Sequence, residues 1–253
     1  MILDKFKLDG KVAIVTGSDT GLGQGISIAF AQAGAKVVGV SHVESNDTAA
    51  QIKEFGGSFI GIEADLMTLD AIPGIIDTTV KVYGKVDILV NNAGIIRRED
   101  AIDFSEENWD DVMNINLKTV FFFSQAVAKK FVEQKSSGKI INIASMLSYQ
   151  GGIRVPSYTA SKSGVKGITM SMANEWAPHN ININAIAPGY MATNNTALLR
   201  SDAARSEAIL DRIPAGRWGT PDDLMGTAVF LASSASDYIN GYTVAVDGGW
   251  LAR

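Results

Sequence analysis

Hydrophobic positions along the chain follow two alternating rhythms. Short β-branched and apolar runs stand at "VAIVT" (12–16), "KVVGV" (36–40), "FIGIEA" (59–64), "VDILV" (86–90), "KIINIA" (139–144), "INAIA" (183–187) and "YTVAV" (242–246). Several are unbroken Val/Ile stretches, the pattern of parallel strands covered on both faces. Between them, helical patterns occupy 22–33, 46–55, 68–83, 106–134, 157–177 and 221–233. Strand-then-helix order of this kind predicts an α/β fold, a doubly wound sheet of seven parallel strands with helices on both faces. No Pro/Gly-rich linker, internal repeat or low-complexity tract divides residues 1–253, so a single domain is expected.

One stretch breaks the rhythm. "YMATNNTALLRSDAARSEAILDRI", about 190–213, follows the strand ending near Ala187 and mixes Asn, Ser and Ala at helical spacing. Segments that leave the carboxyl ends of strands in open α/β sheets border the ligand crevice, which predicts a flap over the substrate here.

Composition narrows the classes of function. The chain is 46% hydrophobic and 19% charged, with mean hydropathy +0.11, values of a folded rather than a disordered protein. No apolar run approaches the ~18 residues of a membrane span, and "MILDKFKLDG" is too charged for a signal peptide. Net charge is −5 and no Lys/Arg cluster suits a phosphate backbone, so nucleic acid is not an expected partner. The absence of cysteine excludes disulfides and thiol chemistry, and His42 and His179 are too far apart for a metal pair. A cytoplasmic address is the expectation.

Candidate chemistry begins after the first strand. In "TGSDTGLGQG", Gly17, Gly21 and Gly23 allow a tight turn and close approach of backbone to a pyrophosphate, and the following helix presents free N–H groups. The spacing is G-x-x-x-G-x-G, different from the common dinucleotide fingerprint. "NNAG" (91–94) follows the fourth strand at the switch point of the sheet, where an amide side chain can brace the glycine loop and Gly94 can admit a ribose. At the end of the second strand, where an acid would accept from a ribose 2′-hydroxyl and an Arg would pair with a 2′-phosphate, the chain has Ser41-His42. Thr20 and the lack of a strong cation nearby favour NAD over NADP, which stays open. Asp65 in "EADL" suits an adenine contact. Finally, "SYTASKSG" (157–164) puts Tyr158 and Lys162 on one helical face, ~6 Å and ~400° apart, among small residues.

The ordered set T-G-x-x-x-G-x-G, N-N-A-G, Asn116, Ser145, Y-x-x-x-K and "PG" at 188–189 resembles the short-chain dehydrogenase/reductase family, along essentially the whole chain. That resemblance implies a Rossmann-type fold and a nicotinamide cofactor lying against Gly17, Thr20, Gly21, Leu22, Gly23, Ser41, Asp65, Leu66, Asn92, Ala93, Gly94, Pro188, Gly189, Met191 and Thr193. It makes Tyr158 the general acid/base, acidified by Lys162 together with the positive nicotinamide, and has Lys162 bind the nicotinamide ribose as well. Ser145 would hold the reacting oxygen, and Asn116 a water behind Lys162. No metal is required.

Longer stretches, among them "NNAGIIRREDA" and "NIASMLSYQGGIRVPSYTASKSG", resemble a branch acting on sugar acids. A carboxylate substrate calls for a cation suited to bidentate recognition, and Arg154 with Arg98 or Arg97 are the expected ones. Gln150 also belongs to the expected substrate site, while Arg217 is assigned to structure. The family resemblance implies a homotetramer and brings the terminal "GGWLAR" toward a neighbouring active site. Two rivals remain at this level: an NADP-dependent reductase of acyl-carrier thioesters or sugar alcohols, and a non-catalytic nucleotide-binding module.

Overall fold

The computed structural model describes residues 1–253. Its seven strands are β1 (Val12–Thr16), β2 (Lys36–Ser41), β3 (Ser58–Glu63), β4 (Ile88–Asn91), β5 (Gly138–Ile143), β6 (Ile181–Pro188) and β7 (Thr243–Val246). They form one sheet in the order β3-β2-β1-β4-β5-β6-β7, parallel throughout. The chain winds outward from β1 to β3, then returns to place β4 on the other side of β1. That reversal opens a crevice at the carboxyl ends of β1 and β4.

Alternation along the strands divides the core. Ala13, Val15 and Val37 point to one face, against Ile26 and Phe30 of α1 (Gly21–Gln32) and Leu224 and Leu231 of α9 (Pro221–Ala232). Ile14, Val38 and Val40 point to the other, against Ile72 and Ile75 of α3 (Ala71–Tyr83), Phe123 and Phe131 of α5 (Thr119–Gln134), and Met172 of α6 (Pro156–Trp176). A short α2 (Asn46–Glu54) lies between β2 and β3.

The single helix expected over 106–134 is interrupted. α4 (Glu106–Met113) passes into a π turn at Asn114–Lys118 before α5 begins. The residues expected to form a flap build a 3₁₀ turn at Asn194–Thr196 and two short helices, α7 (Ala197–Ser201) and α8 (Ala203–Leu210). Behind them, α9 is started by a capping box between Thr220 and Asp223, whose carboxylate also takes both guanidinium nitrogens of Arg217 at 2.8 and 2.7 Å. No helix is long and apolar enough to cross a membrane.

Candidate active site

The glycine loop is fixed by its neighbours before any ligand is considered. Thr16 Oγ1 accepts from the backbone N–H groups of Asn92 and Ala93, both at 2.9 Å, tying β1 to the loop after β4. Asn92 Nδ2 then donates to the carbonyls of Thr16 (2.8 Å) and Gly17 (3.2 Å). Gly17 and Gly21 have φ +65° and +58°, and a Cβ on Gly17 would stand 2.8 Å from Asn92 Nδ2. A Cβ on Gly23 would collide with the Gly17 carbonyl. Thr20 precedes α1 without capping it, so the first amides of the helix face the crevice with no side-chain acceptor. Thr193 comes down opposite, its methyl 3.5 Å from where a Gly21 Cβ would be. A cradle of bare amides that any Cβ would fill fits the pyrophosphate of a dinucleotide.

Other residues expected around the cofactor fall into different settings. Ser41 is buried, and its Oγ accepts from the amides of Ser18 (2.9 Å) and Asp19 (3.1 Å), bracing the loop from below. His42 beside it is exposed, and no Lys or Arg lies in 41–45. Asp65 lies beyond β3 rather than ending it, and its carboxylate accepts from Met67 N–H at 2.8 Å. Leu66 is buried in the core, with its carbonyl accepting from Thr119 Oγ1. Leu22 packs on the α1 face of the core. Pro188 closes β6, and Gly189 follows so close to Asp247 that a Cβ would be 2.6 Å from its Cα. Met191 is buried in the core, where its segment bridges to Gly219.

Deeper in the crevice, three elements bring the polar constellation together. Lys162 is 4% exposed, and its Nζ donates to the Ile143 carbonyl at 2.6 Å, at the end of β5. Burial alone pulls its ammonium down to about 8. Tyr158, one helical turn earlier, holds its ring 5.6 Å from that Nζ. Burial pushes the phenol above its ordinary value, opposed by a hydrogen bond with Ser145 and by the field of Arg98. Thus the protein by itself does not make Tyr158 acidic, and the expected lowering depends on the positive nicotinamide acting together with Lys162. Ser145, expected as the last residue of β5, lies two residues past it and starts the 3₁₀ turn Met146–Ser148, accepting from Leu147 N–H.

Asn116 sits in the π turn and is fully buried. Its amide exchanges two 2.9 Å hydrogen bonds with the backbone of Ile95 and donates to Ser161 Oγ at 3.2 Å. A Cβ on Gly94 would meet Asn116 Oδ1 at 2.8 Å and Lys162 Nζ at 3.8 Å, so this glycine is what lets the three pack together.

Tyr158 and Ser145 open onto a cleft of about 760 Å³, within the range of small-ligand sites. Arg98, Gln150 and Arg154 line it, as expected. Arg154, at φ +63°, pairs through Nε with Asp100 at 2.8 Å, and Arg97 pairs with Asp111 at 2.9 Å. Arg98 instead donates to the Asn195 carbonyl at 3.0 Å, and its field reaches Tyr158. The opposite wall comes from the segment 190–213 and the chain end, with Tyr190, Arg205, Arg212 and Trp250. None of these four was singled out from the sequence. The only available sign was the seven-residue spacing of Arg205 and Arg212, which puts them on one helical face. Trp250, in the terminal stretch expected near a neighbouring site, packs edge-on to Tyr190 within its own chain.

Comparison with known proteins agrees with this geometry. Residues 17–251 match the family profile described as Enoyl-(Acyl carrier protein) reductase. The chain is similar to 2-dehydro-3-deoxy-D-gluconate 5-dehydrogenase of Escherichia coli (strain K12), 68% identical over the whole of both chains. The protein of that name from Bacillus subtilis (strain 168) is 54% identical, over 99% of this chain and 98% of its own. A crystal structure of a gluconate 5-dehydrogenase from Burkholderia cenocepacia J2315, in complex with NADP and tartrate, superimposes with a TM-score of 0.95 at 39% identity, each chain covered in full. The chain belongs to the short-chain dehydrogenase/reductase family. It is an NAD(P)-dependent oxidoreductase.

Proposed function

We propose that this enzyme interconverts 2-dehydro-3-deoxy-D-gluconate and 3-deoxy-D-glycero-2,5-hexodiulosonate, working in the reductive direction during breakdown of pectin-type uronates. The observation that carries the reading is that Arg98 and Tyr158 line one cleft, with the cation near enough for its field to act on the proton-transfer group. Relatives with that printed activity at 68% and 54% identity support it.

The nicotinamide ring supplies the hydride when bound. Ser145 Oγ and Tyr158 Oη hold the C5 carbonyl oxygen between them. As C5 becomes tetrahedral, the oxygen takes the phenolic proton from Tyr158. Lys162 stabilises the phenolate left behind, and Asn116, held against Ile95, positions a water through which Lys162 draws a proton back from solvent. The lack of any Lys or Arg at 41–45 and the acidic Glu44 support NADH over NADPH, since a 2′-phosphate would find no strong cation there and a carboxylate close by.

Exposed Trp109, Phe122 and Met170 on α4, α5 and α6, with Tyr238 and Tyr242 near β7, support a homotetramer. The lack of cysteine is in keeping with a cytoplasmic protein. The test is cofactor oxidation with NADH and NADPH against the 2,5-diketo acid, 5-keto-gluconate and an acyl-carrier thioester. Preference for the 2,5-diketo acid is expected, and Tyr158→Phe should lose about 10²–10⁴ in kcat. A preference for the thioester would overturn the reading.

A further inference from the structure

We propose that Arg205, on α8, is the specificity-determining residue of the cleft: facing Arg98, it completes a two-armed clamp for the substrate carboxylate. This rests on the sugar-acid reading above. The cations around the cleft differ in whether an acidic partner already holds them. Arg97, Arg154 and Arg217 each hold an acidic partner within 3 Å. No ion pair engages Arg98, Arg205 or Arg212, although all three line the same cleft. The nearby Asp202 uses its carboxylate to cap α8, accepting from the Arg205 backbone N–H at 3.1 Å. The Arg205 side chain makes no hydrogen bond within the protein.

Their surroundings then separate the three. Arg98 and Arg205 line one cleft with Tyr158; the field of Arg98 reaches the phenol, and the field of Arg205 reaches Arg98. In a 2,5-diketo acid the carboxylate is four bonds from C5, about 5 Å along an extended chain. A carboxylate at that reach falls beyond the phenol, between two guanidinium groups that repel one another until an anion joins them. Arg212 is differently disposed: its guanidinium lies 4.2 Å from the Trp250 ring, stacked on the far wall. Ile209 is the sole buried residue of α8, so little packing resists a small inward shift of the helix on anion binding.

The experiment compares wild type, Arg205→Gln and Arg205→Lys on the 2,5-diketo acid and on its uncharged counterpart, a 2,5-diketohexose with hydroxymethyl in place of carboxylate. Because the Arg205 side chain is exposed and unbonded, the variants should keep the wild-type melting temperature. Arg205→Gln should lower the acid-to-neutral ratio of kcat/KM about 30-fold, mainly through KM for the acid, with Lys recovering part of it. An unchanged ratio, or equal losses on both substrates, would overturn the role of Arg205. Wild type that turns over the neutral diketone as well as the acid would instead overturn the sugar-acid reading beneath it.

Discussion

The two walls of the crevice are built on opposite principles. On the cofactor side, backbone does the recognition: glycines at 17, 21 and 23 leave amides bare, and Thr16 and Asn92 lock the loop through four hydrogen bonds of 3.2 Å or less. On the side proposed for substrate, long side chains line the cleft, Arg205 among them on α8, which with α7 forms two short helices holding one buried residue between them. A cofactor common to many reactions suits a rigid mould. A substrate that distinguishes one enzyme from its relatives is read by a thin segment whose side chains can be exchanged without disturbing the core.

Three substitutions would sharpen or break that contrast. Gly23→Ala should have the largest effect. Its Cβ meets the Gly17 carbonyl, which cannot turn aside, so stability should fall by about 3 kcal/mol and dinucleotide binding should be lost. Calorimetry and fluorescence titration would show it, and full cofactor affinity in this variant would mean that the mould yields.

Lys162→Met tests the seam between the walls. The folded protein holds this ammonium at about 8 by burial, well below the 10.5 of an unperturbed lysine. Protonated Lys162 therefore costs stability below pH 8, and the cost fades as pH rises from about 8 toward 10.5. The variant should be inactive, yet more stable than wild type by on the order of 2 kcal/mol at pH 7, an advantage absent near pH 10.5. Thermal unfolding across that range is the measurement. A variant less stable than wild type at pH 7 would show that the bond to Ile143 outweighs the burial of charge.

The smallest effect belongs to the flap. Leu198, on α7, is 79% exposed, and Leu198→Ser should change stability by no more than about 0.5 kcal/mol. A larger loss in urea titration would mean that the thin wall is a structural part of the domain.

The same contrast decides what could be read from the sequence. All seven strands fall within two residues of their expected limits, because continuous Val/Ile runs have few other uses in a domain of this size. The glycine loop and Asn92 were legible because backbone geometry restricts residue type. Arg205 and Trp250 were not, because an exposed arginine in a polar helix and a terminal aromatic look the same whether or not a cleft lies between them. Arg154, brought forward by its proximity to Tyr158 in sequence, does line the cleft, where its Nε also pairs with Asp100. The break at Asn114–Lys118 also escaped notice, since an apolar period continues through it with only a slip in phase.

That slip has an outcome of its own. A π turn holds one residue more than regular winding, so α4 and α5 are out of step and the extra position swings Asn116 inward against Ile95 and Ser161. Removing any one residue from the turn would merge the two helices into a smoother rod and carry that amide about 100° around the axis, away from Lys162. A locally better helix would thus be a worse enzyme.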